Sequence, residues 1–206
     1  ETDNKPVRGR GNLTLLLDSN QKGFLPQQFE ANNLFFAYAQ NQLQATGNAQ
    51  SLRVKLNAPA LYEIYPGLQG RAYGVLNVQS QPRLKATANI AVDNFAFKDV
   101  ASVKSLRIQG ELPTSEATPT LLVAKVDHLR SGNREIENAT INLGGTRKAH
   151  VLKVESNNRQ SNFYVQLAGG FNQNNEWLGQ LQKGHFKSRR IDLVQNQSAA
   201  IIYSAA

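Results

Sequence analysis

The chain has 206 residues, of which 40% are hydrophobic and only 18% charged, with a formal net charge of +8. It has no cysteine, which excludes a disulfide framework, thiolate metal sites and thiol catalysis. Leu, Val, Ile and Phe are spread throughout, so wholesale disorder is excluded.

Alternation of period two dominates the sequence from its first segment. Leu13, Leu15 and Leu17 share one side of a predicted strand, and Leu52, Val54 and Leu56 do so in "SLRVKLN". The next stretch, "NAPALYEIYPGL", is the one helix candidate. Pro59 suits a first turn, Leu61, Ile64 and Tyr65 fall at helical spacing, and Pro66-Gly67 ends it, which predicts about two turns near 59–65. Leu68 to Val92 then reads as two strands joined around Ser80 and Pro82. One side carries Leu68, Gly70, Ala72, Gly74, Leu76 and Val78, then Leu84, Ala86, Ala88, Ile90 and Val92. The other carries Gln69, Arg71, Asn77, Gln79, Arg83, Lys85 and Asn89.

The pattern continues to the end of the chain. Leu106 and Ile108 form one pair, followed by Leu122 and Val126 around Ala124, then Ala139, Ile141 and Leu143. Leu152 and Val154 come next, then Phe163, Val165 and Leu167, and last Ile191 and Leu193. Turn clusters such as "DSNQKG", "RSGNRE", "LGGTRK" and "ESNNRQS" separate them. Roughly a dozen strands are expected.

Such a pattern fits two designs. In a sandwich or closed barrel the apolar sides meet in a packed core. In an open, curved sheet they line a groove. Gly and Ala are frequent on the apolar side, and aromatics make up only 8% of the chain. Small residues leave room that a compact core fills, which favours an all-β, mostly antiparallel sheet curved around an open trough.

Catalytic constellations are not expected. His128, His150 and His185 lack metal-ligand spacing, and Glu135 and Glu137 read as a solvated side of one strand. There is no nucleophile elbow, phosphate loop or dinucleotide fingerprint. The basic residues are scattered, with "GHFKSRR", Gly184 to Arg190, the one dense run. Nucleic acid is therefore not the expected partner, and no cofactor or metal is expected. Trp177, the only tryptophan, is expected to pack at one end of the sheet. No apolar run of about 18 residues occurs, so no transmembrane helix is predicted within the chain.

Three segments carry a family resemblance: Ala60 to Leu112, Glu137 to Asn172, and "EWLGQLQKGHF", Glu176 to Phe186. A Pro-flanked short helix precedes Leu68-Gln69-Gly70. Then come Pro82 to Ile90, Ala101 to Gly110, and Trp177 to Leu181. In that order the chain resembles the TamB family, the inner-membrane subunit of the translocation and assembly module, one of the AsmA-like bridge proteins of diderm bacteria.

The resemblance implies a β-taco, a long sheet with a greasy interior. It also implies a periplasmic location, with a membrane anchor outside residues 1–206 and all 206 residues forming one continuous segment of a longer protein. The implied partners are phospholipid acyl chains or nascent outer-membrane β-strands, and an outer-membrane barrel subunit of the same module. The implied role is non-enzymatic: phospholipid transport to the outer membrane, assembly of outer-membrane proteins of autotransporter type, or both.

On this reading sixteen residues line the groove: Leu68, Leu76, Val78, Leu84, Ile90, Val92, Leu106, Ile108, Leu122, Val126, Ile141, Leu143, Leu152, Val154, Val165 and Leu167. Two readings compete with it. A cell-surface β-solenoid or sandwich with an adhesive or structural role requires a filled core. An outer-membrane barrel requires aromatic girdles at both strand ends, for which aromatics are too sparse.

Overall fold

A computed structural model describes residues 7–16, 28–48, 50–79, 85–98, 100–112, 118–174 and 176–203. Leu17, Ser80, Pro82, Arg83 and Leu84, five positions used above, lie outside the described residues.

The segments with period-two alternation are strands. They are β1 (Val7–Leu16), β2 (Gln28–Tyr38), β3 (Asn41–Asn48), β4 (Ser51–Ala58), β5 (Leu68–Gln79), β6 (Lys85–Phe97) and β7 (Ala101–Leu112). They continue with β8 (Thr120–Ser131), β9 (Arg134–Gly145), β10 (His150–Asn157), β11 (Ser161–Phe171), β12 (Trp177–Ser188), β13 (Asp192–Val194) and β14 (Ala199–Tyr203). Each pairs antiparallel with its neighbour in the chain from β1 to β13, and β14 takes the other half of the β12 edge. The result is one 14-stranded open sheet, with β1 at one edge and β13 and β14 at the other. Because β1 does not pair with the far edge, the sheet is not a closed barrel.

The helix near 59–65 is shorter than its pattern predicts, a single 3₁₀ turn at Leu61–Glu63. Two things limit it. The Asn41 amide, 6% exposed, donates to the Ala60 carbonyl at 2.9 Å and accepts from the Ala60 N–H at 3.2 Å. That fixes the backbone where a longer helix would begin. At the other end Gly67, with φ of 93°, leads straight into β5.

Nothing large is buried among the described residues. The apolar side chains below the surface are Ala31, Ala45, Ala58, Ala60, Ala86, Ala88 and Val103. In a sandwich, Leu, Ile and Phe would fill that role at native packing density. The chain presents 14877 Å² of accessible surface. A compact globule of its 22.7 kDa would present roughly 9,500 Å². Strand alternation therefore produces a single open layer, and among the described residues no second sheet covers its larger apolar side chains.

Candidate functional site

Residues paired across an antiparallel ladder point to the same side, so the register traces each side of the sheet. One row runs Leu34, Ala45, Val54, Leu76, Ala88, Gly110, Leu122, Leu143, Leu152, Leu167, Leu181, Ala199. Two residues further along the strands a second row runs Gly9, Phe36, Leu43, Leu56, Gly74, Ile90, Ile108, Ala124, Ile141, Val154, Val165, Gly184. A third runs Ala58, Ala72, Val92, Leu106, Val126, Ala139, Ser156, Phe163, Phe186, Leu193. Ser156 is its one polar member. It is 1% exposed and donates to the Asn138 carbonyl at 2.7 Å, so its hydroxyl is satisfied.

A fourth row, on the other flank of the first, contains Ala31, Gly47, Leu52, Val78 and Ala86. At strand spacings of about 4.8 Å the first two rows each extend roughly 50 Å, and the four together are about 20 Å wide. An area of that order, roughly 1,000 Å², exceeds what a monomeric soluble protein ordinarily leaves exposed as one patch.

The register brings fourteen predicted lining residues onto these four rows. Leu76, Leu122, Leu143, Leu152 and Leu167 lie in the first; Ile90, Ile108, Ile141, Val154 and Val165 in the second; Val92, Leu106 and Val126 in the third; Val78 in the fourth. Leu68 stands apart, paired with Phe97 beyond a register shift. All fifteen are half-buried, neither enclosed nor fully open. Leu34, Phe36, Leu43, Leu181 and Phe186 belong to the same rows and were not among the predicted lining residues. Phe36, Leu43 and Phe186 are 46%, 39% and 38% exposed.

The shift beside Leu68 has a local cause. Arg71 pairs with Asp93 but Gln69 pairs with Ala96, so β6 carries one extra residue. Asn94, with φ of 50°, absorbs it opposite Gly70, with φ of 103°. A Cβ at Gly70 would lie 2.6 Å from the Asn94 carbonyl oxygen. The bulge re-aims the residues beyond it. Odd-numbered Phe95 and Phe97 thereby follow even-numbered Val92 on the apolar side. Val103, Leu129 and Ile136 keep step with Phe95 across β7 to β9. His128, with φ of 49°, marks the same line on β8. β2 repeats the device at Asn33, φ of 50°, opposite Gly11.

The opposite side is polar and carries small concavities. One of about 480 Å³ is lined by Gln42, Gln44, Lys55, Asn57, Tyr73 and Asn89 together with Leu56, Gly74, Val75 and Ala91. Ion pairs flank the bulge line there. Asp93 meets Arg107 at 2.6 Å and Arg71 at 3.7 Å, and Asp127 meets Lys104 at 3.2 Å. His128 lies 2.6 Å from Asp127, and that hydrogen bond holds the Asp127 carboxyl below the usual carboxylate range, with help from Lys104. His185, 2.8 Å from Asp192, does the same for that carboxyl.

Trp177 lies at one strand end on the apolar side. Gly169 and Gly179 make room for its ring: a Cβ on Gly169 would meet the indole at 2.7 Å. Its Nε1–H donates to His150 Nε2 at 2.8 Å, which leaves the His150 proton on Nδ1, 3.1 Å from the Thr146 carbonyl. His150 is thus committed to holding Trp177. Among the described residues no group of three or more His, Cys, Asp and Glu could hold a metal ion, and no helix is long and apolar enough to cross a membrane.

No solved structure matches the chain. A family model described as TamB, N-terminal domain, matches residues 1–206, the whole of it. The ordered motifs from Leu68 to Leu181, the open all-β sheet and this match agree, and the chain belongs to the TamB family.

Proposed function

We propose that the apolar side of the sheet is a non-enzymatic conduit for phospholipid, in a periplasmic bridge between the inner and outer membranes. The observation that carries this reading is the continuity of the apolar rows. The first two each cross twelve strands without a charged residue. An acyl chain of about sixteen methylenes exposed to water costs about 13 kcal/mol, at about 0.8 kcal/mol each. Leu, Ile, Val and Ala side chains remove most of that cost. They make no directional contact, so a bound chain can slide from strand to strand. An outer-membrane barrel subunit is the partner that would receive the cargo.

A nascent outer-membrane β-strand is a second cargo, favoured by one observation. The β14 edge is open, with Ile202 and Tyr203 exposed, and an open edge pairs with an added strand. The same apolar rows would then cover the strand's greasy side.

Photo-crosslinking amino acids test the reading in cells. At Leu76, Ile90, Ile108, Ile141 and Val165 they should capture phospholipid. At Gln79 and Lys85, on the other side, they should not. Capture from Gln79 and Lys85 alone would refute the conduit, and capture of polypeptide in place of lipid would favour the second cargo.

A further inference from the structure

The two long margins of the apolar side differ between β8 and β14. At one margin the rows end in aromatics: Phe171 pairs with Trp177, which pairs with Tyr203. The turn between β9 and β10 at this margin carries Arg147 and Lys148, and both are already engaged, Arg147 with its guanidinium 4.9 Å over the Phe171 ring. At the other margin the strands turn at Ser131 to Arg134, Asn157 to Ser161, and Ser188 to Ile191, and each turn carries arginine. Arg134 closes the row Leu68, Phe97, Ala101, Ser131 on the apolar side itself.

These cations have capacity to spare. Among the described residues Arg134, Arg189 and Arg190 have no acidic partner. Arg159 is 89% exposed and sits 3.7 Å from Glu137, a loose pair. The acids nearby are Glu135, Glu137 and Asp192, and Asp192 is already held by His185 and Lys187. The turns recur every second strand, about 10 Å apart. A guanidinium there can reach over the edge of an apolar surface and chelate a phosphodiester through two N–H groups.

We propose that phospholipid lies on the sheet in one orientation, each phosphodiester at one of the turn arginines Arg134, Arg159 and Arg190 and its acyl chains along the strands toward Trp177. The proposal rests on the conduit reading and adds the cargo's orientation and the head group's seat. Lengths agree. A single leaflet's chains span about 15 Å, half the hydrocarbon core. From the turn at Ser161 the row of Leu167 and Leu181 is six residues in along β11, about 20 Å. Chain ends therefore fall near that row, with the glycerol at Phe163 and Phe186. The dense run "KSRR" becomes the head-group end of the site.

Two photoactivatable phosphatidylglycerols with the same acyl chains test it, one reactive at the head group and one at the chain terminus. Each is added to the purified protein and the labelled peptides are mapped by mass spectrometry. Head-group label should concentrate at residues 131–134, 159 and 188–190, and chain label around Leu167 and Leu181. The triple variant R134E/R159E/R190E should lower head-group labelling there by roughly fivefold. Overlapping positions for the two probes, head-group label at the Trp177 margin, or an unchanged triple variant would each overturn the orientation while chain label on the rows kept the conduit. Absence of chain label from every row would overturn both.

Discussion

The two sides of this sheet are made from the same strands and differ in what they ask of the solvent. On one side, Gln44, Lys55 and Asn89 stand exposed around a concavity that Val75 and Ala91 help to line. On the other, one residue away along each strand, Ala45, Val54 and Ala88 lie in a row that is apolar from β2 to β14. A globular protein resolves that difference by folding the apolar side against a second layer. Here only alanines and one valine are buried together, and Leu and Ile stay half-open. Alternation alone therefore specifies a sheet. The proposed conduit rests on the absence of a second layer among the described residues.

The largest effect is expected where the two sides are kept from mixing. Gly70→Val puts a β-branched residue at a φ of 103°, with its Cβ 2.6 Å from the Asn94 oxygen and 2.7 Å from the Asp93 oxygen. It should cost about 3 kcal/mol in urea unfolding, from strain and overlap together. Gly74→Ala in the same strand should be nearly neutral, because its Cβ would meet Ile90 at an ordinary 3.4 Å. Equal costs would mean the bulge does not fix the register.

Next comes a charge placed on either side of β7. Ile108→Asp should lose about 2 kcal/mol and abolish lipid capture. Gln109→Asp, its neighbour on the polar side, should stay within about 0.5 kcal/mol. A smaller effect separates an open side from a filled core. Ala124→Leu would cost about 1–3 kcal/mol in a packed interior. On the second row it should change stability by less than about 0.5 kcal/mol, because the added methylenes extend into open space.

The smallest effect is with pH. The Asp127 and Asp192 carboxyls lie below their ordinary value of 3.8 in the folded chain, so they bind fewer protons there than unfolded. Their contribution is present above that value and is lost as pH falls through the folded one. Asp127→Asn should flatten the acid limb of a urea-midpoint profile below about pH 4 and leave neutral pH nearly unchanged.

Much of this was legible in the sequence, and the reason is geometric. Period two fixes which residues share a side, so Leu76, Ile90, Ile108, Ile141 and Val165 could be grouped before any register was known. The places where parity switches were not read. Leu34 follows Ala31 onto the apolar side only because Asn33 adds a residue, and Phe95 follows Val92 only because Asn94 does. A signal exists, since "VDNF" on β6 and "VDHL" on β8 both put a residue tolerant of positive φ after Asp. The Trp177 and His150 pair could not be found from spacing. It depends on Gly169 and Gly179 lying side by side across β11 and β12. The short helix was overread because the Asn41 clamp on Ala60 reaches across 19 residues of sequence.

The central claim is that one side of this sheet is an open, lipid-facing surface, and its most direct test uses the absence of cysteine. Single cysteines at positions 139 to 143 of β9 would be exposed to a set of phospholipids, each carrying a thiol-reactive group at a different depth along one acyl chain. Reaction should follow the strand's own period: Ala139→Cys, Ile141→Cys and Leu143→Cys are modified, and Thr140→Cys and Asn142→Cys are spared. Modification without alternation, or with the opposite phase, would contradict it.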